Sequence, residues 1–360
     1  MNDSQQSSKL PALSKPISSH ALEIFVGIVL ALWVFGTIAF KQSVISSTDW
    51  AAAIKPYSFL LALTAGCLVA SLACKGIDFE LAGAVGLCCM LFAVLIYWRL
   101  ANNAQPLVLA LFLLAVKDMD LKRLLRFYAG GAIAGLVGSA VLVAVFSTSG
   151  IADCATSPLP ILGAFNEPSI IACILFSVLC ALTIGSGDNP RIRIALVAAC
   201  LLCAAAAFTF LHAKRCAFLI ITLGVYHLAN WKFADSLNSV FSRKSARWFL
   251  AALPIALFCL SNDAARFLGI GAQTGAYSVA IPTYGYAIVV CFAVLYVRAI
   301  LIGGNHGMRP AVAVVAILYA LFFLFEAFPM HLELNGALLM LSVGLGRGAL
   351  ADAGASSATD

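Results

Sequence analysis

Apolar runs of about 15 to 22 residues, the length at which a helix crosses a bilayer, follow one another along the chain from Leu22 onward, separated by short polar segments. Inside the runs the apolar residues are continuous and do not alternate with period two, which sets aside a β-barrel. The pattern predicts helices near 21–40, 57–74, 79–98, 105–117, 127–146, 168–185, 192–212, 215–231, 248–261, 281–302, 310–327 and 332–346. The expected fold is all-α: a polytopic integral membrane protein of about twelve transmembrane helices, since helices satisfy every backbone N–H and C=O inside hydrocarbon. A polar tail over 1–20 precedes a single transmembrane domain over 21–346, and a second tail covers 347–360. The first run, Leu22 to Phe40, is longer than a signal-peptide core and has no small-residue cleavage pattern, so it predicts a retained span.

Composition sharpens this picture. Of 360 residues, 62% are hydrophobic and 11% charged, against roughly 45 to 50 and 25 per cent in soluble domains. Mean hydropathy is +1.01, which leaves no room for a separate soluble domain. The net charge of +6 reads as topology rather than as a nucleic-acid surface, because Lys and Arg collect on the cytoplasmic side of polytopic proteins. With the N-terminus in the cytoplasm, only Lys41, Lys55, Arg99, Lys214, Arg215 and Arg266 of the 22 cations fall outside. Both termini are then cytoplasmic, and the lipid bilayer is the main surrounding partner.

Of the 12 cysteines, all but Cys154 lie in or at the ends of apolar runs, where Cys behaves as a small hydrophobe. Cys200 and Cys203 form one C-x-x-C without a second pair, so neither a metal nor a redox centre is expected.

Two outer connections are longer than a turn: one near 147–167, which holds no Lys or Arg, and one near 261–282, rich in Gly, Ala, Asn and Gln. Binding groups concentrate in such loops on a rigid scaffold. Lys232 to Arg247 is expected to be the longest inner loop, its cations fixing topology and meeting anionic lipid.

Ionisable residues at outer helix ends are costly and call for a partner or a purpose. His212, Lys214 and Arg215 share a tight turn on the side that otherwise avoids cations. One reading is snorkelling to headgroups; the other is a compact pyrophosphate site, Arg offering forked donors and Lys a point charge. Asn166 and Glu167 precede Pro168, a helix start in which either is the cap and Pro168 the first helical residue. The same N-terminus suits an anion or sugar hydroxyls. Asp263, Arg266, Gln273 and Tyr277 precede Pro282-Thr283-Tyr284-Gly285-Tyr286, and Asp263 and Arg266 are spaced to pair. Glu326, His331 and Glu333 cluster at the last outer turn, with Asn335 just inside, and could supply a general base.

In this order the features resemble the O-antigen polymerase and O-antigen ligase-like superfamily, in particular the oligosaccharide repeat unit polymerases of capsular and exopolysaccharide synthesis. A basic cytoplasmic segment after the fourth span is matched by Ala115-Val116-Lys117-Asp118-Met119-Asp120-Leu121-Lys122-Arg123-Leu124-Leu125-Arg126. A Gly-Phe-x-x-Pro-Asn helix start is matched by Gly163-Ala164-Phe165-Asn166-Glu167-Pro168-Ser169, and a Thr-x-Ser-Arg motif by Thr209 through Arg215. The segment from Gly275-Ala276-Tyr277 to Tyr284-Gly285, and Glu326 with Asn335, complete the set. Three positions depart from the pattern: Ser169 stands for Asn, Glu167 for a common His, and Lys214 for the Ser before Arg. Arg215 keeps both position and chemistry.

The resemblance implies glycosyl transfer at the outer face of the bacterial cytoplasmic membrane, between two undecaprenyl-pyrophosphate-linked saccharides, without cofactor or metal. Arg215, Lys214 and Arg266 would neutralise the leaving pyrophosphate, with Asn166 and Tyr284 among the substrate-binding residues. Glu167, His212, Glu326 or His331 would deprotonate the acceptor hydroxyl, and the residues do not rank these four. A chain-length regulator and a flippase are the implied companions. The alternatives are ligase-like transfer of polysaccharide to a lipid, protein or wall acceptor, a twelve-span transporter or flippase, and a membrane subunit without chemistry.

Overall fold

The computed structural model describes residues 19–42, 105–117, 119–148, 165, 168–185, 190–267, 290–301, 309–325 and 335–342, with a few positions between 64 and 96. Among the described residues the chain is almost wholly helical and forms no strand. Its helices are α1 (Ser19–Gly36, continued by a π-helical turn Thr37–Gln42), α2 (Gln105–Ala115), α3 (Leu121–Thr148), α4 (Pro168–Gly185), α5 (Pro190–Thr209), α6 (Lys214–Ser242), α7 (Lys244–Phe267), α8 (Val290–Leu301) and α9 (Pro310–Phe325), followed by a 3-10 turn, Gly336–Met340. Four stretches, Ala21–Phe40, Leu121–Val145, Arg191–Thr209 and Lys214–Ser242, are long and apolar enough to cross a membrane.

The outward faces of these helices are apolar. Ile24, Phe25, Ile28 and Leu32 stand exposed along one side of α1, and Ile133, Val137, Val141 and Val145 recur every fourth residue along α3. Leu201 and Leu202 on α5, and Phe218, Ile221, Val225 and Leu228 on α6, do the same. Contiguous apolar surface on this scale marks a membrane or a large interface rather than contact with water. Hydroxyls are satisfied inside their own helices: Thr37, Ser139, Thr183, Thr209 and Thr222 each donate to the carbonyl four residues back, at 2.7 to 2.9 Å. That bond removes the cost of an unpaired hydroxyl in an apolar medium.

Glycine permits the closest packing. On α3, Gly131 and Gly135 form a G-x-x-x-G stripe against Ala31 and Ile38 of α1, while Gly27 of α1 receives the Phe127 ring. The matching order of these contacts makes α1 and α3 parallel, and Arg123 closes their common start by bonding Glu23 at 2.8 Å. Small-residue stripes of this kind let apolar helices gain dispersion contacts that larger side chains would prevent.

α4 runs antiparallel to α3, with Arg126 Nε donating to the Gly185 carbonyl at 2.9 Å at one end and Tyr128 donating to Ser177 at 2.9 Å further along. α4 and α6 run parallel, since Cys173 meets Cys216 and Thr183 meets His227. α5 packs along α6 as an antiparallel hairpin, Gly224 lying against Cys200. Lys122, Arg123, Arg126, Arg191 and Arg193 therefore gather at one end of the bundle, and Lys214 and Arg215 stand at the other, beside the start of α4.

Several boundaries differ from the sequence pattern. The fifth predicted helix starts at Leu121 rather than 127, because Asp120 caps it: its carboxylate accepts the Lys122 N–H at 3.0 Å and its carbonyl the Leu124 N–H at 3.1 Å. The basic segment is thus largely the first turns of α3. The predicted inner loop from Lys232 to Arg247 is helical instead, α6 running to Ser242 and α7 starting at Lys244. Leu237 and Phe241, four apart, pack on the core and hold this stretch in register, while Phe233 (φ −125°, ψ 32°) takes up a kink. The start of the predicted outer loop 261–282 is helical as far as Phe267. α2, described over the 11 residues Gln105–Ala115, is buried on almost every side. The predicted spans 57–74 and 79–98 and the tail 347–360 fall mainly or wholly outside the described residues.

Candidate functional site

The turn between α5 and α6 is built by capturing the last carbonyls of α5. Phe210 and Leu211 N–H both bond the Ala206 carbonyl, at 3.0 and 3.2 Å, and Ala213 N–H bonds that of Ala207 at 2.9 Å. The reversal is completed by His212 at φ 51°, among the described residues the only non-glycine with positive φ. His tolerates this left-handed conformation better than β-branched or bulky residues do, but not without strain. Leu211, buried, anchors the turn, and the residues around it point outward: Phe208, Phe210, His212, Lys214 and Arg215 are all exposed.

Lys214 and Arg215 are the first two residues of α6, and the cap residue Ala213 offers no side-chain bond. The helix dipole and the first-turn N–H groups therefore add to two cations. The Lys214 ammonium lies 5.9 Å from the centroid of the Phe208 ring, at the limit of a cation–π contact. The arrangement is an open, electropositive turn and not a closed pocket. It can meet an anion, or a headgroup phosphate, approaching from outside.

Of the other residues singled out by sequence, Pro168 is the first residue of α4, as its helix-start pattern predicts. The α4–α6 contact at Cys173 and Cys216 brings that start to the same end of the bundle as Lys214. Arg266 lies in the last turn of α7 rather than in a loop. Asn166, Glu167, Tyr284, Glu326 and His331 lie outside the described residues. Asn335, predicted just inside an outer turn, instead lies fully buried in the middle of the bundle. The cause is the next residue, whose N–H donates to Ser177 at the centre of α4, at 2.9 Å.

Two polar constellations were not legible as sites. Ser177 Oγ accepts from Tyr128 OH and from the Gly336 N–H, at 2.9 Å each, which leaves its own hydrogen for Tyr319 OH. Gly336 is required here, because a Cβ would fall 2.7 Å from the Tyr128 ring. Phe176, Tyr319 and Phe322 pack their rings around the node at centroid distances of 5.2 to 5.9 Å.

The second constellation joins α4 to α6 nearer the basic end. Thr183 spends its hydroxyl hydrogen on the Leu179 carbonyl, so its oxygen accepts from His227 Nε2 at 3.0 Å. This fixes the tautomer: Nε2 carries the hydrogen, and among the described residues the buried Nδ1 lone pair meets no protein donor. The signal was a histidine inside the apolar run of α6, a placement costly enough to deserve notice.

Among the described residues no group of three His, Cys, Asp or Glu is placed to hold a metal ion. Comparison with family models, curated proteins and solved structures gives no match.

Proposed function

We propose that the protein is a membrane glycosyltransferase that polymerises undecaprenyl-pyrophosphate-linked repeat units at the outer face of a bacterial cytoplasmic membrane. The observation that carries this reading is the Lys214–Arg215 turn. Two exposed cations open a helix at the bundle end opposite Lys122, Arg123, Arg126, Arg191 and Arg193, beside the start of α4. A pyrophosphate leaving group gains charge as the glycosidic bond breaks, and forked donors with a helix N-terminus stabilise it. His212 adjoins both cations and is exposed, which suits a base that takes the acceptor hydroxyl proton; Glu167, Glu326 and His331 remain its competitors.

The test is a gel profile of surface polysaccharide from a strain lacking the gene, complemented with wild type or Arg215→Ala at matched protein levels. Collapse of the ladder to single repeat units, restored by wild type alone, is the expected result. Long chains held on the lipid carrier but missing from their final acceptor would mean a ligase. An unaltered profile would remove the polysaccharide reading.

One observation favours a second reading, transport. Non-α backbone at Asn335–Met340 lies in the bundle interior against the centre of α4, and interrupted helices at mid-depth are a feature of transporter binding sites. Accumulation of unflipped lipid-linked repeat units on the inner leaflet in the deletion strain would support it.

A further inference from the structure

The seam between α4 and α6 holds a pair of thiols near the Lys214–Arg215 turn. Cys173 Sγ and Cys216 Sγ lie 3.8 Å apart, in van der Waals contact, on two different helices, and both residues are buried, at 0% and 1% exposure. A disulfide needs its sulfurs about 2.05 Å apart, so closure requires an approach within reach of side-chain torsion and a small helix shift.

The two sulfurs are not equivalent. Cys216 is the third residue of α6, directly after two exposed cations. The turn before it carries a left-handed histidine and an alanine cap without a side-chain bond. Helix ends held in this way open more readily than helix centres, and fraying of one turn uncovers Cys216. Cys173 is more than a turn inside α4 and stays covered.

We propose that Cys173 and Cys216 form a redox-responsive pair that closes to a disulfide between α4 and α6 by exchange with a low-molecular-weight disulfide. Cys216 loses its proton and attacks one sulfur of that disulfide, expelling the first thiol and leaving a mixed disulfide on Cys216. Cys173 then loses its proton and attacks the Cys216 sulfur, and the second thiol departs. The protein gives up two electrons and two protons, and the small disulfide is reduced to two thiols. The closed form ties the start of α6 to α4 and prevents the first turn of α6 from fraying. The inference does not depend on the reaction proposed above.

The test uses the full-length protein in lipid nanodiscs, treated with 2,2′-dipyridyl disulfide, quenched with N-ethylmaleimide, digested and analysed by mass spectrometry. The expected product is a peptide pair linked through Cys173 and Cys216, lost in Cys173→Ser and in Cys216→Ser and retained in Cys180→Ser. Cys173→Ser should instead keep the pyridyl adduct on Cys216. Oxidation should also raise the thermal midpoint of wild type by a few degrees and leave that of either single variant unchanged, which guards against a variant that merely folds poorly. Release of pyridine thione without the linked peptide, or a stable pyridyl adduct on wild-type Cys216, would overturn the proposal.

Discussion

Gly131 on α3 approaches Ala31 on α1 so closely that a Cβ at residue 131 would fall 2.5 Å from the Ala31 carbonyl oxygen. The obstacle is backbone, which cannot rotate away as a side-chain end could. Gly131→Ala must therefore push the helices apart, at a cost of about 1 to 3 kcal/mol for overpacking. Among the described residues, a Cβ at Gly130, one residue earlier, would meet nothing within 4 Å. The expected result is a lowered thermal midpoint for Gly131→Ala and an unchanged or raised one for Gly130→Ala, measured on purified protein in one detergent.

Ser177 ties three elements through one oxygen, so its loss should cost more than the loss of a single partner. Ser177→Ala strands the Gly336 N–H and disturbs two tyrosine hydroxyls, at about 1 to 3 kcal/mol for each buried group left unsatisfied. Tyr128→Phe removes one donor and leaves Ser177 with two partners; about 0.5 to 1.5 kcal/mol is expected. Thermal unfolding of the two variants checks the order, and equal effects would mean that the node relaxes or takes up water.

His212 sets a conformational test apart from any chemical one. Glycine accepts a φ of 51° without strain, whereas a β-branched residue does not. His212→Gly should match or exceed wild type in stability, and His212→Val should fall below it by roughly 1 to 2 kcal/mol. If His212 is the proton acceptor in the proposed reaction, His212→Gly will be a stable protein that makes no long polymer; normal polymer from it would exclude that role.

Arg215 and Lys differ in donor geometry at equal charge, which separates a clamp from an anchor. A forked clamp on pyrophosphate predicts that Arg215→Lys retains part of the ladder while Arg215→Gln loses about 100- to 1,000-fold in polymer formation. A side chain that only snorkels to headgroups predicts equal polymer from both, with protein abundance the sole variable.

Helix positions were readable wherever an apolar run was bounded by turn chemistry. Pro168 marked the start of α4, and the Leu211–Ala213 break separated α5 from α6, because proline and a tight reversal act locally. The 232–247 segment misled because its polar composition resembles a loop. Its helical register rests on Leu237 and Phe241, which acquire meaning only once there is a core to meet. The same holds for the site. Adjacent cations at Lys214 and Arg215 are visible as a string, but the nearness of α4 is a long-range contact through Cys173. Ser177, Tyr128, Tyr319 and Gly336 lie far apart in sequence and carry no motif, so only the fold assembles them.

The kink at Phe233 divides α6 unequally. From Lys214 to Lys232 the helix rises about 28 Å at 1.5 Å per residue, close to the hydrocarbon thickness of a typical bilayer; from Ala234 to Ser242 it continues beyond that length. Exposed Trp231 and Trp248, with Lys232, Arg243 and Lys244, flank the bend, the aromatic and basic residues that settle at headgroup depth. The kink at Phe233 gives the two parts of α6 different directions, so the two parts need not share one tilt. In a bilayer, a bend at Phe233 would place the adjustment to hydrophobic mismatch at the end of α6 remote from the Lys214–Arg215 turn.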